Sequence, residues 1–157
     1  RRDMLKYLIG AVLLILSVFA GYVFSYKYYE RLKFYESFCE FNKRFKTAVS
    51  FSFRSLSAVI EDCGKNKFSE ALSEYKADKR KNNGALQFLN EEERAYFWNY
   101  AENIGTTDRK TQLNMLEEAE KTVCEKYKKC ENDYKKYKPI CIKLGFLFGL
   151  IIFILIL

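Results

Sequence analysis

Apolar residues crowd the two ends of the chain, and between the ends they recur at helical spacing. From Tyr7 to Tyr26 there is no charge, only two serines and two glycines among Leu, Ile, Val, Ala and aromatics. Twenty helical residues rise about 30 Å, the thickness of a hydrocarbon core. The pattern therefore predicts a transmembrane helix over 5–26. Ala20-Gly21 imitates the small-residue site at which a signal peptide is cut, and cleavage there is the alternative. Tyr22, Tyr26, Tyr28 and Tyr29 with Lys27 form an aromatic and basic belt that favours an uncleaved anchor. At the other end Leu144 to Leu157 is apolar throughout. Extended back to Ile140 the run rises about 27 Å, provided that Lys143 snorkels to the headgroups. A second transmembrane helix is predicted over 140–157. A buried soluble helix is the alternative, opposed by the lack of a second apolar layer large enough to cover the run.

The stretch 27–139 has the period of amphipathic helices. Phe34, Phe38, Phe41, Phe45 and Ala48 alternate by four and three, one stripe of a helix that continues the first span without a break. Leu56, Val59 and Ile60 mark a short second helix, which Gly64 closes with a left-handed cap. Phe68, Ala71, Leu72 and Tyr75 mark a third, ended by the polar turn Lys79 to Gly84. Asn90-Glu91-Glu92-Glu93 reads as a capping box that opens a helix ending at Gly105. Thr106 or Thr107 caps the next, with Asp108 in its first turn, and nothing interrupts that helix until Pro139. Along it Val123, Tyr127, Cys130, Tyr134 and Tyr137 form a stripe that predicts antiparallel packing on the first helix. A separate dimeric coiled coil is disfavoured, because Tyr and Cys are poor seam residues beside Leu and Ile. No period-two run lasts long enough for a strand. The expected fold is all-α: an antiparallel bundle of about six helices between two terminal membrane helices.

Charge sets the orientation. The 157 residues include 27 basic and 20 acidic ones and no histidine, a net charge of +7. Thirteen lysines and arginines between Lys27 and Lys143 lie close to the two spans, against Arg1, Arg2 and Lys6 before the first. That bias predicts a cytosolic middle with both termini across the membrane. The five cysteines form no CxxC pair and no metal-ligand spacing, so they read as reduced, half-buried thiols. Lys27, Tyr28, Tyr29, Lys135, Lys136, Lys138 and Lys143 are the expected interface residues. The lysine-rich stretch 121–138 abuts a membrane span, which favours anionic headgroups over nucleic acid as its counter-charge.

Candidate chemistry is sparse. The absence of histidine excludes His-based triads and mixed Cys/His zinc sites. There is no nucleophile elbow and no phosphate-binding Gly-Lys-Ser/Thr. No enzyme activity, cofactor or metal is expected. Glu91-Glu92-Glu93 fits a cation only in principle; a charged first helical turn is the simpler reading. Asp108 and Gln112, four apart on one helical face, read either as a polar contact pair or as a cap with one solvated amide.

Met4-Leu5-Lys6-Tyr7-Leu8-Ile9-Gly10-Ala11, the anchor flowing into a basic helix, and Asn103-Ile104-Gly105-Thr106-Thr107-Asp108-Arg109-Lys110-Thr111-Gln112-Leu113 together resemble the stage III sporulation protein AB family. The family phrase is Leu-Gly-x-x-Asp-x-x-x-Gln before the last long helix; here Ile104 replaces the leucine, while Gly105, Asp108 and Gln112 fit. Phe88 to Glu93 fits its helix start. The resemblance runs from Met4 through both spans, with Arg1 to Asp3 before the expected start. An aromatic-heavy first helix and Phe51-Ser52-Phe53, where the family more often has a Pro-containing turn, depart from it. The resemblance implies a cytosolic six-helix domain similar to the platform protein of type II secretion and type IV pilus machines. It also implies a place in the channel joining mother cell and forespore, beside an ATPase of the stage III sporulation protein AA type and other channel subunits, with room for a homo-oligomer. Glu92, Glu93, Gly105, Asp108 and Gln112 are the motif and partner candidates. The rival function is a membrane-surface protein that binds anionic lipid through its basic juxtamembrane helix.

Overall fold

Each terminal apolar run fuses with the amphipathic stripe beside it into one long helix. The computed structural model describes residues 2–52 and 54–156, and among these it is helical with no strand. The order is α1 (Arg2–Thr47), a π-helical turn (Ala48–Ser52), α2 (Leu56–Asp62), α3 (Lys67–Asp78), a 3₁₀ turn (Asn83–Leu86), α4 (Glu91–Asn103) and α5 (Arg109–Ile156). α1 and α5 each hold a stretch long and apolar enough to cross a membrane. Five α-helices among the described residues replace the expected two spans plus about six. The count falls because each apolar run continues into the neighbouring stripe as one helix, and only three further α-helices, α2 to α4, lie between them.

Pro139 was expected to stop the last helix; instead it lies inside α5. Proline removes one N–H and leaves one carbonyl of the preceding turn without its helical partner. Both Lys135 and Pro139 are exposed, so that carbonyl lies on a solvated face and the helix runs on. Phe51 and Ser52, where the family more often has a Pro-containing turn, lie in the π-helical segment; Phe53 lies outside the described residues, as do Arg1 and Leu157.

The chain divides into two compact units. The first comprises residues 1–30 and 131–157. In it the two helices pass antiparallel at backbone distance. A Cβ on Gly21 would lie 2.5 Å from the Cys141 carbonyl oxygen, and one on Gly145 would lie 2.7 Å from that of Ser17. Gly149 meets Leu14 and Gly10 meets Phe153 in the same register. The Ser17 hydroxyl donates to the Gly145 carbonyl at 2.6 Å. Small residues at the crossing let dispersion contacts hold two apolar helices together where lipid offers no hydrophobic drive. Gly21, the small residue that imitates a cleavage site, is therefore a packing position.

The second unit, Arg31–Cys130, is organised around aromatic rings. Phe34, Phe38, Phe41 and Phe45 of α1 are all buried, as the stripe predicts. Phe38 stacks on Phe68 of α3 at 4.7 Å and meets Tyr100 of α4 edge-on at 4.6 Å. Phe34 meets Phe97 edge-on at 5.3 Å. Such pairs add about 0.5–1.5 kcal/mol each beyond the area they bury. α5 closes the core with Leu116, Ala119 and Val123. Asn42, fully buried, ties three helices: its amide donates to the Leu116 carbonyl at 2.9 Å, and the Tyr100 hydroxyl donates to its oxygen at 2.9 Å. The caps follow the sequence. Gly64 takes φ +73, and Lys79 ends α3 in the left-handed region.

Candidate functional site

The motif residues gather at the two ends of α4. At its start Asn90 accepts from the Glu93 N–H at 2.8 Å, and Glu93 accepts from the Asn90 N–H at 3.1 Å, completing the expected capping box. Glu93 then does something the sequence pattern does not announce. It is 2% exposed, and Arg31 of α1 reaches it with Nη2 at 2.6 Å from Oε1 and Nε at 3.2 Å from Oε2. The Tyr35 ring, 1% exposed, is buried close to this carboxylate. Burial pushes the carboxyl upward, but Arg31 and the Asn90 N–H outweigh it and hold Glu93 below the usual carboxylate range. Burial and then the Glu93 charge push the Tyr35 phenol strongly up. Glu93 thus stays ionised as the anchor between α1 and α4. Glu92 beside it is exposed, so the acidic run does not converge on one point.

At the other end α4 stops at Asn103, with Ile104 buried as its cap and Gly105 at φ +74. A side chain is disfavoured at that φ; a Cβ on Gly105 would also lie 3.0 Å from Leu56 of α2. Lys76 of α3 donates to the Ile104 carbonyl at 2.6 Å, and burial, then Lys79, lowers its pKa. Asp108, rather than Thr106 or Thr107, takes the capping position of α5: one carboxylate oxygen accepts from the N–H groups of Lys110 and Thr111, both at 3.1 Å. A carboxylate satisfies two free amides and the helix dipole together, which a threonine hydroxyl does less well.

Gln112 is 3% exposed. Its Oε1 accepts from the Gly105 N–H at 2.7 Å and from the Thr107 hydroxyl at 3.4 Å, while its amide nitrogen faces Met115 Sδ at 3.7 Å. Asp108 and Gln112 are therefore not a side-chain pair; their link is the backbone bond from the Gln112 N–H to the Asp108 carbonyl at 2.8 Å. The phrase is a clasp in which glycine makes the bend, aspartate starts α5 and glutamine bonds back across the turn. Arg109 adds a bond to the Ser50 carbonyl.

A family model described as stage III sporulation protein AB matches residues 66–157. The chain belongs to that family. The match opens at Asn66, the N-cap of α3, and runs through the clasp and α5. Met4 to Ala11, the first apolar run and the aromatic stripe lie outside the matched residues. No curated protein and no solved structure matches the chain.

The interface residues named above fall in the unit formed by 1–30 and 131–157. Tyr28 stacks on Tyr137 at 5.0 Å, and Tyr29 meets Tyr134 at 5.8 Å. Lys138 donates to the Tyr134 hydroxyl at 3.0 Å, Lys135 pairs with Glu131 at 2.6 Å, and Lys136 lies over the Tyr137 ring. Lys27 and Lys143 are exposed.

Sequence reasoning missed Arg31, Tyr35, Asn42 and Lys76. The first had a signal. Arg31 lies three residues before Phe34, on the same apolar stripe, and a charge on such a stripe calls for a buried counter-charge. Among the described residues no cluster of His, Cys, Asp and Glu is arranged to hold a metal ion.

Proposed function

We propose that this stage III sporulation protein AB family member is a non-catalytic, membrane-anchored platform. It belongs to a channel between mother cell and forespore and docks a cytosolic ATPase of the stage III sporulation protein AA type. The observation that carries the reading is where the buried polar groups go. Glu93, Asn42, Tyr100 and Gln112 each bond across helices or turns, which serves rigidity rather than turnover. A helical unit, 27–139, lying in sequence between spans 5–26 and 140–157, suits a docking base. Glu92 and Asp108 are exposed and fit direct partner contact, Gly105 makes the exposed bend between α4 and α5, and Glu93 and Gln112 support the surface from beneath. We place the unit in the cytosol, with the spans in the membrane around the forespore, and assign it no nucleic acid and no cofactor. Other channel subunits and further copies of the chain complete the assembly.

A second reading, an anionic-lipid surface protein, rests on the lysines and tyrosines that flank the spans. Copurification from detergent-solubilised sporulating membranes separates the two. The platform reading expects the ATPase to elute with the tagged full chain, and to remain after delipidation. Loss of the ATPase on delipidation, or its absence throughout, overturns it in favour of the lipid reading.

A further inference from the structure

Between the two apolar helices of the first unit runs a groove of about 460 Å³, floored by Gly21 and Gly145 and walled by Phe24 and Phe148. The floor is deep because the backbones touch there without intervening side chains. The walls stand clear: Phe24 is 74% and Phe148 60% exposed. On α1 the lining residues Ser17, Ala20, Phe24 and Lys27 recur at helical spacing, so the groove runs along the helix for about 15 Å. That is half of a hydrocarbon core of about 30 Å, the depth of one leaflet. At the interfacial end stands Lys27, with neither hydrogen bond nor ion pair to another described residue, whereas Lys135 and Lys138 are engaged by Glu131 and Tyr134.

We propose that this groove binds one anionic phospholipid, an acyl chain lying against Gly21 and Gly145 and the phosphate meeting Lys27 Nζ. The inference rests on the membrane reading above. Length and charge choose the occupant. A groove one leaflet deep that ends in a free ammonium matches a single acyl chain beneath a negative headgroup. A transmembrane helix from another subunit would cross both leaflets and leave Lys27 without a counter-charge.

The test uses the full chain. Alkaline extraction of membranes comes first, then native mass spectrometry of the detergent-purified protein with phosphatidylglycerol or phosphatidylcholine added. Wild type should retain one phosphatidylglycerol in preference to phosphatidylcholine. Lys27→Gln should lower that preference about fivefold, the worth of one interfacial lysine. Ala20→Phe, which fills the groove from an exposed position, should reduce retention of both lipids. Lys136→Gln, outside the groove, should leave the preference unchanged. Equal effects of Lys27→Gln and Lys136→Gln would show diffuse attraction and overturn the site. So would a photo-crosslinker at position 20 that captures another protein segment rather than lipid. A chain stripped off by alkali would refute the membrane reading and the groove with it; an integral chain indifferent to headgroup would refute the groove alone.

Discussion

Replacing Glu93 with alanine removes the carboxylate that Arg31 grips at two points and the acceptor for the Asn90 N–H. Breaking a buried ion pair by deleting one partner costs about 3–5 kcal/mol. The Arg31 side chain is 21% exposed and reaches water, which puts the loss at the low end. Losing half of the capping box adds about 0.5–1 kcal/mol. The expected destabilisation is about 3–4 kcal/mol, a large share of the 5–15 kcal/mol typical of a domain. Glu93→Gln keeps an oxygen for the Asn90 N–H but not the charge, so it should lose about 2–3 kcal/mol. Trp98, the chain's one tryptophan, is 4% exposed and packed between Phe97 and Tyr75, so its fluorescence reports this unit. Urea unfolding of the full chain in non-ionic detergent gives the difference as midpoint shift times slope. Because the folded pKa of Glu93 is depressed, its stabilisation is complete above the unfolded value of about 4.3 and fades as pH falls through the folded one. Wild type and Glu93→Gln should therefore converge in acid. A Glu93→Ala protein within about 1 kcal/mol of wild type at pH 7 would refute the reasoning, since the cap alone accounts for a loss that small and nothing would be left for the ion pair.

Gln112→Ala strips the Gly105 N–H of its acceptor and should cost about 1–3 kcal/mol by the same assay; a change under about 0.5 kcal/mol would reduce the phrase to a helix start. Gly105→Ala forces a side chain to positive φ and toward Leu56, for a loss of about 1–2 kcal/mol, and a neutral variant would contradict the bend's geometry. Burial, then Cys124, pushes the Cys39 thiol up to about 11, so at pH 7 it is protonated and inert. With a membrane-impermeant maleimide, intact cells should show no labelling. Permeabilised ones should label the half-buried Cys63 and Cys124, and Cys39 and Cys130 only after unfolding. Labelling of Cys124 in intact cells would reverse the proposed orientation.

What the sequence made legible was local. Four-and-three spacing located the Phe34–Phe45 stripe, a four-residue window announced the Asn90–Glu93 box, and Gly64 and Gly105 marked left-handed bends. What it hid joins residues far apart in the chain. Arg31 and Glu93 are 62 positions apart, and Asn42 and Leu116 are 74 apart. No periodicity carries such pairings, which depend on how α1 packs with α4 and α5. Even within the eight residues of the clasp, spacing put Gln112 beside Asp108 on a helical face. Burial instead turns its amide back to the Gly105 N–H, because a free donor at that bend is costlier than a solvated glutamine is favourable. Pro139 misled for the converse reason: a proline stops a helix only where the orphaned carbonyl cannot find another partner.

The platform reading is tested most directly by titrating the purified stage III sporulation protein AA-type ATPase against the full chain in nanodiscs of neutral lipid. Light scattering or interferometry would read the complex. The account predicts saturable binding without anionic lipid. Glu92→Lys, at an exposed position, should weaken that binding at nearly unchanged Trp98 unfolding midpoint, and so should Asp108→Asn, which loses the charge but keeps a capping oxygen. No binding in neutral nanodiscs, with recovery only when phosphatidylglycerol is added, would contradict a protein docking platform and leave the lipid-surface reading in its place.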